Sequence, residues 1–159
     1  MKAAVLTVSD SVVAGTREDA SGDLLQVLLE ADGFEVGRRV VADEREMISD
    51  AIVELARDAS LVLTTGGTGV APRDVTPEAT VDVVDRPVPG LAEAIRADSI
   101  AKTPHALLSR GTAGTRGSTL VVNLPGSTGG CRDGYAVLRP VLEHALKLLA
   151  EQPTKHVQT

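Results

Sequence analysis

Short apolar runs that alternate with amphipathic segments are the feature that most limits how this chain can fold. Residues 3–8 (AAVLTV), 34–41 and 61–65 (LVLTT) have the composition of strands, and the segments between them have helical spacing. A β-α-β-α order of this kind produces a parallel sheet that is covered by helices. The chain is therefore predicted to be an α/β protein, a three-layer αβα sandwich with a mostly parallel sheet.

Capping residues predict where the first two helices begin. Asp19 to Gly22 opens the first helix, and Gly33 supplies the left-handed residue that ends it. Asp43 and Glu46 have the spacing of a capping box, which predicts that Asp43 is the N-cap of the second helix. Each of these helices would follow a polar segment of the chain.

A hairpin and three further helices are predicted in the second half of the chain. Residues 113–116 and 119–124 flank Gly117-Ser118, a glycine-first loop typical of a β-hairpin, so one antiparallel hairpin strand joins the sheet. Helices are expected at 77–84 with Thr76 as the cap, at 90–100, and at 135–150 with Pro140 as a kink or break, while 125–130 is expected to be a flexible loop.

Length, charge and cysteine content bound the class of protein. The 159 residues fit a single domain over 1–152 with a polar C-terminal tail at 153–159. The net charge of −6 opposes binding to nucleic acid, and neither export nor a membrane anchor is expected. The single cysteine, Cys131, excludes an internal disulfide framework, so a cytoplasmic protein is expected.

Two glycine-rich turns follow predicted strands, at 64–74 (TTGGTGVAPRD) and 123–130 (NLPGSTGG). In an open α/β sheet such turns project beyond the carboxyl ends of the strands, where ligands bind. Glycines allow backbone N–H groups to approach an anion, which suits a phosphate. The other interpretation is that the glycines only make tight turns. The P-loop motif and the dinucleotide fingerprint are both absent.

Two aspartates follow strands near these turns. Asp43 and Asp74 can point into one crevice, and two carboxylates that face a polyphosphate make sense chiefly with a divalent cation between them. The structural alternatives are that Asp43 only caps a helix and that Asp74 only ties down Arg73 or the loop backbone. Both alternatives stay open on the sequence.

Other polar residues have weaker signals. Ser9 and Asp10 end the first strand and could either bind a ligand or cap the loop, while for Ser109 and Ser118 the local sequence favours turn chemistry over ligand binding. Cys131 is expected to be an inert thiol because no histidine lies near it in the sequence. None of the three histidines looks like a ligand or a catalytic base.

With these residues in view, the sequence resembles the molybdopterin-binding family of molybdenum-cofactor biosynthesis. That family includes bacterial molybdopterin adenylyltransferase of the Mog type, its non-adenylylating relatives, and the corresponding domains of plant Cnx and animal gephyrin. The resemblance runs from AAVLTVSD at 3–10 to HALKLL at 144–149, and its specific parts are TTGGTGVAPRDVTPEAT at 64–80 and LSRGTAGTRGSTLVVNLPG at 108–126. One departure is the stretch after NLPG, which reads STGGCRDG where many members have a lysine or another polar residue.

The resemblance implies an enzyme and names its site. It implies that the terminal phosphate of molybdopterin attacks the α-phosphate of ATP in a Mg²⁺-dependent reaction, giving adenylyl-molybdopterin and pyrophosphate. It further implies a homotrimer, with a molybdenum-insertion protein as a possible partner. Asp43 and Asp74 match the catalytic, magnesium-binding aspartates. The matching substrate-binding positions are Ser9, Asp10, Gly66, Gly67, Thr68, Gly69, Thr76, Ser109, Ser118, Asn123, Pro125, Gly126 and Ser127. The alternatives are a non-catalytic protein that binds molybdopterin or the molybdenum cofactor, and a scaffold role like that of gephyrin.

Overall fold

The computed structural model describes residues 1–151 and confirms the three-layer αβα sandwich. Its six strands form one sheet in the order β2-β1-β3-β6-β5-β4, in which only β5 runs antiparallel to its neighbours. The strands are β1 Lys2–Val8, β2 Glu35–Val41, β3 Leu61–Thr65, β4 Arg86–Pro87, β5 Ala113–Arg116 and β6 Thr119–Leu124. The helices are α1 Asp10–Val13, α2 Ala20–Ala31, α3 Arg45–Leu55, α4 Thr76–Val81, α5 Pro89–Lys102 and α6 Thr128–Leu149, with a 3₁₀ helix at Pro104–Leu108.

The helices divide between the two faces of the sheet, and the alternation of side chains along the strands explains how. In β1, Ala3 and Val5 pack with apolar residues of α2, α5 and α6. Ala4 and Leu6 point to the opposite face, where α3 and α4 cover the sheet. Because both faces are covered, the central strands are buried at nearly every position, and their mostly apolar residues therefore appear in the sequence as short runs without alternation.

The strand order changes direction at β1. The chain passes from β1 to β2 on one side and then to β3 on the other side of β1. The carboxyl ends of β1 and β3 therefore border a crevice, the position at which open α/β sheets bind ligands. The segment after β3 begins at Gly66, directly beside the end of β1, and seven of the predicted site residues line this crevice.

Two of the predicted helix caps are wrong. Helix α3 begins at Arg45 with Glu44 as its N-cap, and no side chain caps it, so Asp43 is not the cap of this helix. Helix α4 spans only Thr76–Val81, and its N-cap is Val75 rather than Thr76. In both cases the polar side chain bonds across the crevice to another segment, and tertiary contacts of this kind override a local capping pattern.

Helix α6 begins at Thr128, seven residues earlier than the predicted start at 135, so residues 128–130 are helical and do not belong to a flexible loop. Ser127 is the N-cap and accepts a hydrogen bond from the Gly130 N–H at 3.0 Å. A Cβ atom at Gly134 would lie 2.8 Å from a methyl carbon of Leu124. This glycine therefore permits close packing of the helix on β6, while Pro140 lies inside the continuous helix.

The sequence did not predict α1, β4 or the 3₁₀ helix at Pro104–Leu108, all of which are short. The predicted hairpin at 113–124 is confirmed, with Arg116 paired to Thr119 across the turn. Within residues 1–151, no helix has the length and apolar character that crossing a bilayer requires. The predicted polar tail at 153–159 lies outside the described residues.

Candidate functional site

A tight turn at residues 66–69 forms the floor of the crevice. Gly66 and Gly67 have φ angles of +98° and +66°, which are strained for any residue with a side chain. A Cβ at Gly66 would overlap the carbonyl oxygen of Val8, and one at Gly67 would overlap the hydroxyl of Thr76. Glycine is therefore required at both positions. The turn places the residues that follow β3 directly beside the carboxyl end of β1.

Asp43 is held by a reciprocal pair of hydrogen bonds with Asp10. The Asp10 N–H donates to Asp43 Oδ2 at 2.8 Å, and the Asp43 N–H donates to Asp10 Oδ1 at 3.0 Å. Arg73 donates to both carboxylate oxygens of Asp10, at 2.6 and 3.1 Å, and also to Glu44 at 3.0 Å. The Asp10 carboxylate is thus occupied by protein groups, while Asp43 Oδ1 remains directed towards the glycine turn.

Asp74 lies at the other end of the same turn. Its Oδ2 accepts a hydrogen bond from the Ala71 N–H at 3.1 Å, and a Cβ at Gly69 would lie 2.8 Å from this oxygen. A Cβ at Gly67 would lie 3.2 Å from Asp43 Oδ1. The two carboxylates therefore stand on either side of residues 67–69, and both face one cleft.

We call the cleft that Asp43 and Asp74 both line the carboxylate cleft. Its volume is about 400 Å³, and Ser127, the N-cap of α6, is one of its lining residues. It is lined by Thr7, Val8, Ser9, Val12, Arg17, Glu18, Asp19, Ser21, Asp43, Thr65, Gly66, Gly67, Asp74, Gly126 and Ser127.

Asp10 and Asp43, which hydrogen-bond to each other, differ in the pKa of their carboxyl groups. Partial burial raises the pKa of Asp43, and the negative charges of Asp10 and Asp74 raise it further, against the hydrogen bond from the Asp10 N–H. The hydrogen bonds from Arg73 lower the pKa of Asp10, helped by the N–H of Asp43. Asp10 is consequently the partner that carries fixed charge, whereas Asp43 would gain most from a cation in the cleft.

A second cleft adjoins the first and has a different character. We call it the α5 cleft; its volume is about 450 Å³, and it shares Ser127 with the carboxylate cleft. Apolar and basic side chains of α5 and the following 3₁₀ helix form one wall, including Ile95, Arg96 and Lys102. The cleft is also lined by residues of other segments, which include Thr68, Gly69, Ser109, Pro125, Gly129 and Gly130.

The structure brings most of the predicted site residues to these two clefts. Ser9, Asp43, Gly66, Gly67, Asp74, Gly126 and Ser127 line the carboxylate cleft, and Thr68, Gly69, Ser109, Pro125 and Ser127 line the α5 cleft. The Ser9 hydroxyl also accepts a hydrogen bond from the Val12 N–H, so it caps α1 as the structural interpretation expected.

Two predicted binding residues lie beneath the site instead. Asn123 is only 2% exposed, and its side-chain N–H groups donate to the hydroxyls of Thr64 and Thr80, both at 2.9 Å. Its side-chain oxygen accepts from the Thr112 N–H at 3.1 Å. The buried Thr76 hydroxyl donates to the Gly66 carbonyl at 2.9 Å. Their polar groups serve to hold the glycine turn and the strand ends together.

Ser118 does not join the other predicted residues. It lies in the β5–β6 turn, before the first residue of β6, whereas the two clefts lie beyond the last residues of the parallel strands. Its neighbours at that opposite end of the sheet include Arg57, Asp85 and Arg116. The sequence correctly placed Ser118 near the end of a strand. This end is the amino end of β6, however, whereas the clefts lie at the carboxyl ends of the parallel strands.

Several residues of the site were missed by the sequence analysis. Arg17 and Asp19 line the carboxylate cleft, and Arg96 lies in the α5 cleft, where it donates to the carbonyls of Ser109 and Gly111 at 3.2 and 3.0 Å. Arg110 contacts the segment after the glycine turn. Their only signal in the sequence was positive or negative charge close to a motif, which does not distinguish them from surface residues.

Cys131 is buried in the first turn of α6, behind the clefts rather than in them. Its thiol donates to the Pro125 carbonyl at 3.1 Å, and burial raises its pKa to about 11. Because the thiolate is the reactive form, native protein at pH 8 is expected to resist alkylation by iodoacetamide, whereas denatured protein reacts at the rate of a free thiol. Mass spectrometry before and after denaturation measures this, and rapid modification of the folded protein would contradict it.

Comparisons with known proteins agree with this geometry. The model of a family described as a probable molybdopterin binding domain matches residues 4–144. A Helicobacter pylori (strain J99) protein named molybdopterin adenylyltransferase is 37% identical over 150 residues, covering 91% of this chain and 85% of that protein. A Synechococcus elongatus protein, named molybdenum cofactor biosynthesis bifunctional protein, is 42% identical; the match covers 92% of this chain and 47% of that protein.

Solved structures give the same result for the fold. The molybdopterin biosynthesis enzyme MoaB from Thermus thermophilus is 46% identical with a TM-score of 0.89, and the match covers 97% of this chain and 99% of that one. The molybdopterin biosynthesis Mog protein from Mycobacterium ulcerans is 42% identical with a TM-score of 0.89, over 93% and 98% of the two chains. Because the family model matches residues 4–144 of the 159 in this chain, the chain belongs to the molybdopterin binding domain family of molybdenum-cofactor biosynthesis.

Proposed function

We propose that the chain is a molybdopterin adenylyltransferase, which transfers AMP from ATP to the terminal phosphate of molybdopterin. The observation that carries this proposal is the placement of Asp43 and Asp74 on either side of one glycine turn, facing a single cleft. Relatives that are 37–42% identical and carry the name molybdopterin adenylyltransferase support it. A protein that only held a phosphate would have less use for two adjacent carboxylates.

The two carboxylates fit a magnesium ion that is bound together with a substrate. Mg²⁺ retains several waters and is usually held by one or two carboxylates plus substrate phosphates. Residues 1–151 contain no group of three or more side chains that could bind a metal ion together. A site completed by substrate phosphates therefore fits these residues better than one made of protein ligands alone. Asp43 and Asp74 would hold the ion, which on binding supplies positive charge to the phosphates.

The two clefts suit two substrates whose phosphates meet at Ser127. An oxygen of the molybdopterin phosphate attacks the α-phosphorus of ATP; the new P–O bond forms as the bond to the β-phosphate bridging oxygen breaks, and pyrophosphate leaves with that electron pair. The start of α6 contributes backbone N–H groups and the positive end of a 22-residue helix to this point. Holding the phosphates in line can supply roughly 7–11 kcal/mol of the barrier reduction, and no protein nucleophile is required.

The raised pKa of Asp43 predicts a pH-dependent magnesium requirement. Only the ionised carboxylate binds the cation, so protons compete with Mg²⁺ as pH falls towards the raised pKa. We expect the Mg²⁺ concentration for half-maximal activity to increase on acidification at a higher pH than an ordinary aspartate would require. Titrations of activity with MgCl₂ at several pH values between pH 5 and 8 measure it. A half-saturating concentration that stays constant over this range would contradict the role of Asp43.

The second candidate function is a non-catalytic protein that binds molybdopterin or the molybdenum cofactor. The observation in its favour is that the family model matching residues 4–144 is described as a probable molybdopterin binding domain, a description that names binding and no transfer. The same fold and the same loops would then hold the pterin without transfer, since a fold does not determine a reaction.

Pyrophosphate release separates these two functions. Purified protein is mixed with molybdopterin, ATP and MgCl₂, and a coupled assay follows pyrophosphate while mass spectrometry identifies the adenylylated product. Stoichiometric binding of molybdopterin with no pyrophosphate would establish the binding protein instead.

The proposal further includes a cytoplasmic homotrimer that passes its product to a molybdenum-insertion protein. Light scattering measures the oligomeric state.

A further inference from the structure

Arg110 contacts both ends of the segment that carries Asp74. Its backbone N–H donates to the Thr68 carbonyl at 2.8 Å, and its Nε donates to the Gly69 carbonyl at 2.7 Å. Its Nη2 donates to the Asp74 carbonyl at 2.7 Å, while Nη1 pairs with Glu78 in the first turn of α4. The Arg110 side chain therefore joins Gly69 and Asp74, near the two ends of the loop, to Glu78 in α4.

The loop at 69–75 has few other attachments. Its internal bonds run between Ala71 and Asp74, from the Asp74 N–H to the Ala71 carbonyl at 2.9 Å and from the Ala71 N–H to Asp74 Oδ2 at 3.1 Å. Val70 is 63% exposed, and no residue from 69 to 75 belongs to the buried core. Arg73 secures the loop to Asp10 and Glu44 on the carboxylate-cleft side, and Arg110 secures it on the other side.

We propose that Arg110 is a positioning residue that fixes the main chain at Gly69 and Asp74, so that the Asp74 carboxylate stays directed into the carboxylate cleft. The consequence for catalysis rests on the function proposed above, whereas the consequence for the loop does not. Carbonyl groups, rather than the reacting atoms, are the partners of Arg110, so its effect on activity passes through Asp74.

The guanidinium group is specifically suited to this task. It presents donors in a rigid planar fork, which allows one side chain to satisfy two carbonyls and a carboxylate in different directions. Glu78 holds one arm of the fork. A lysine at 110 has a single ammonium group on a flexible stem and can hold one of the two carbonyls at a time, so it should restore only part of the effect.

The first test measures the loop without any substrate. Amide hydrogen exchange of Ala71 and Asp74 is compared in wild type, Arg110→Gln, Arg110→Lys and a control, Arg45→Gln, which removes a bidentate ion pair with Asp82 outside both clefts. We expect exchange at these two amides to be about tenfold to hundredfold faster in Arg110→Gln, the effect of losing one or two hydrogen bonds to a charged donor, and intermediate in Arg110→Lys. Amides of β3 should be unaffected, which excludes general unfolding.

The second test measures what the loop does for the cleft. In the pyrophosphate assay, Arg110→Gln is expected to raise the Mg²⁺ concentration for half-maximal activity about tenfold while the KM for molybdopterin is unchanged. Unchanged exchange at Ala71 and Asp74 overturns the proposal, and so does faster exchange with an unchanged magnesium requirement. If the wild-type protein releases no pyrophosphate, the adenylyltransferase function fails, and the binding of Mn²⁺ measured by electron paramagnetic resonance in the presence of ATP replaces activity as the second readout.

Discussion

Replacing Asp74 by asparagine is expected to slow pyrophosphate release by at least about a hundredfold, while the fold and the binding of molybdopterin are retained. A metal ion contributes several kcal/mol to the stabilisation of charge in a phosphoryl transition state, and this substitution would remove one of the two carboxylates that we propose to hold it. Asparagine is the sharper choice than alanine because its side-chain oxygen can still accept the hydrogen bond that the Ala71 N–H now donates to Asp74 Oδ2. The loss would then report charge rather than loop geometry.

The matched control is Asp82→Asn, which removes a carboxylate from the end of α4 outside both clefts. Its turnover should equal that of wild type within about twofold, because loss of an exposed ion pair costs little. Circular dichroism and isothermal titration with molybdopterin check that Asp74→Asn is folded and competent to bind. Full turnover in Asp74→Asn would remove this carboxylate from the mechanism, and the pair with Asp43 would lose its explanation.

Replacing Gly66 by alanine is expected to reduce the free energy of unfolding by about 2–5 kcal/mol. The left-handed conformation alone costs an alanine roughly 1–2 kcal/mol. The added methyl group would also overlap the main-chain carbonyl of Val8, a group that cannot rotate away as a side chain can, and overpacking of this kind typically costs about 1–3 kcal/mol more. Urea denaturation followed by circular dichroism measures the change.

Gly33 provides the control for this substitution. It has a similar φ angle of +87° after α2, but an added Cβ would meet no atom within 4 Å. Gly33→Ala should therefore show only the conformational cost of roughly 1–2 kcal/mol. The difference between the two variants in the free energy of unfolding therefore measures the cost of the overlap with the Val8 carbonyl alone. Equal destabilisation of the two variants would show that the glycine at 66 serves its φ angle only.

Local patterns predicted those elements whose cause is local. The bounds of β3 were predicted to the residue, because a five-residue buried strand appears as an uninterrupted apolar run between polar segments. Helix α2 and its glycine stop at Gly33 were also predicted, because an Asp N-cap and a left-handed glycine act within one turn of the helix. The hairpin strand β5 was identified from its two-residue turn.

Among the errors, the one at Asp43 comes from competition by a distant partner. Asp43 had the spacing of a capping residue, but the N–H and carboxylate of Asp10, 33 positions away, take its polar groups instead. Gly129 and Gly130 belonged to the predicted loop at 125–130, yet they lie in α6, where a Cβ at Gly130 would lie 2.8 Å from Pro125. The partner of Asp43 cannot be recognised from the residues that surround its motif, whereas the partner of Gly130 lies within the same glycine-rich segment.

For this protein, the sequence alone determined the fold class, the membership of the molybdopterin-binding family and several of the residues that line the two clefts. These follow from hydrophobic periodicity and from motifs within short stretches of chain. Only the tertiary structure decided which of those residues share a cleft, that Asn123 and Thr76 lie beneath it, that Ser118 lies at the opposite end of the sheet, and that Arg73 and Arg110 hold the loop of Asp74. The physical reason is that strand order and direction bring together segments that are far apart in the chain, and those contacts are formed by packing over the whole domain.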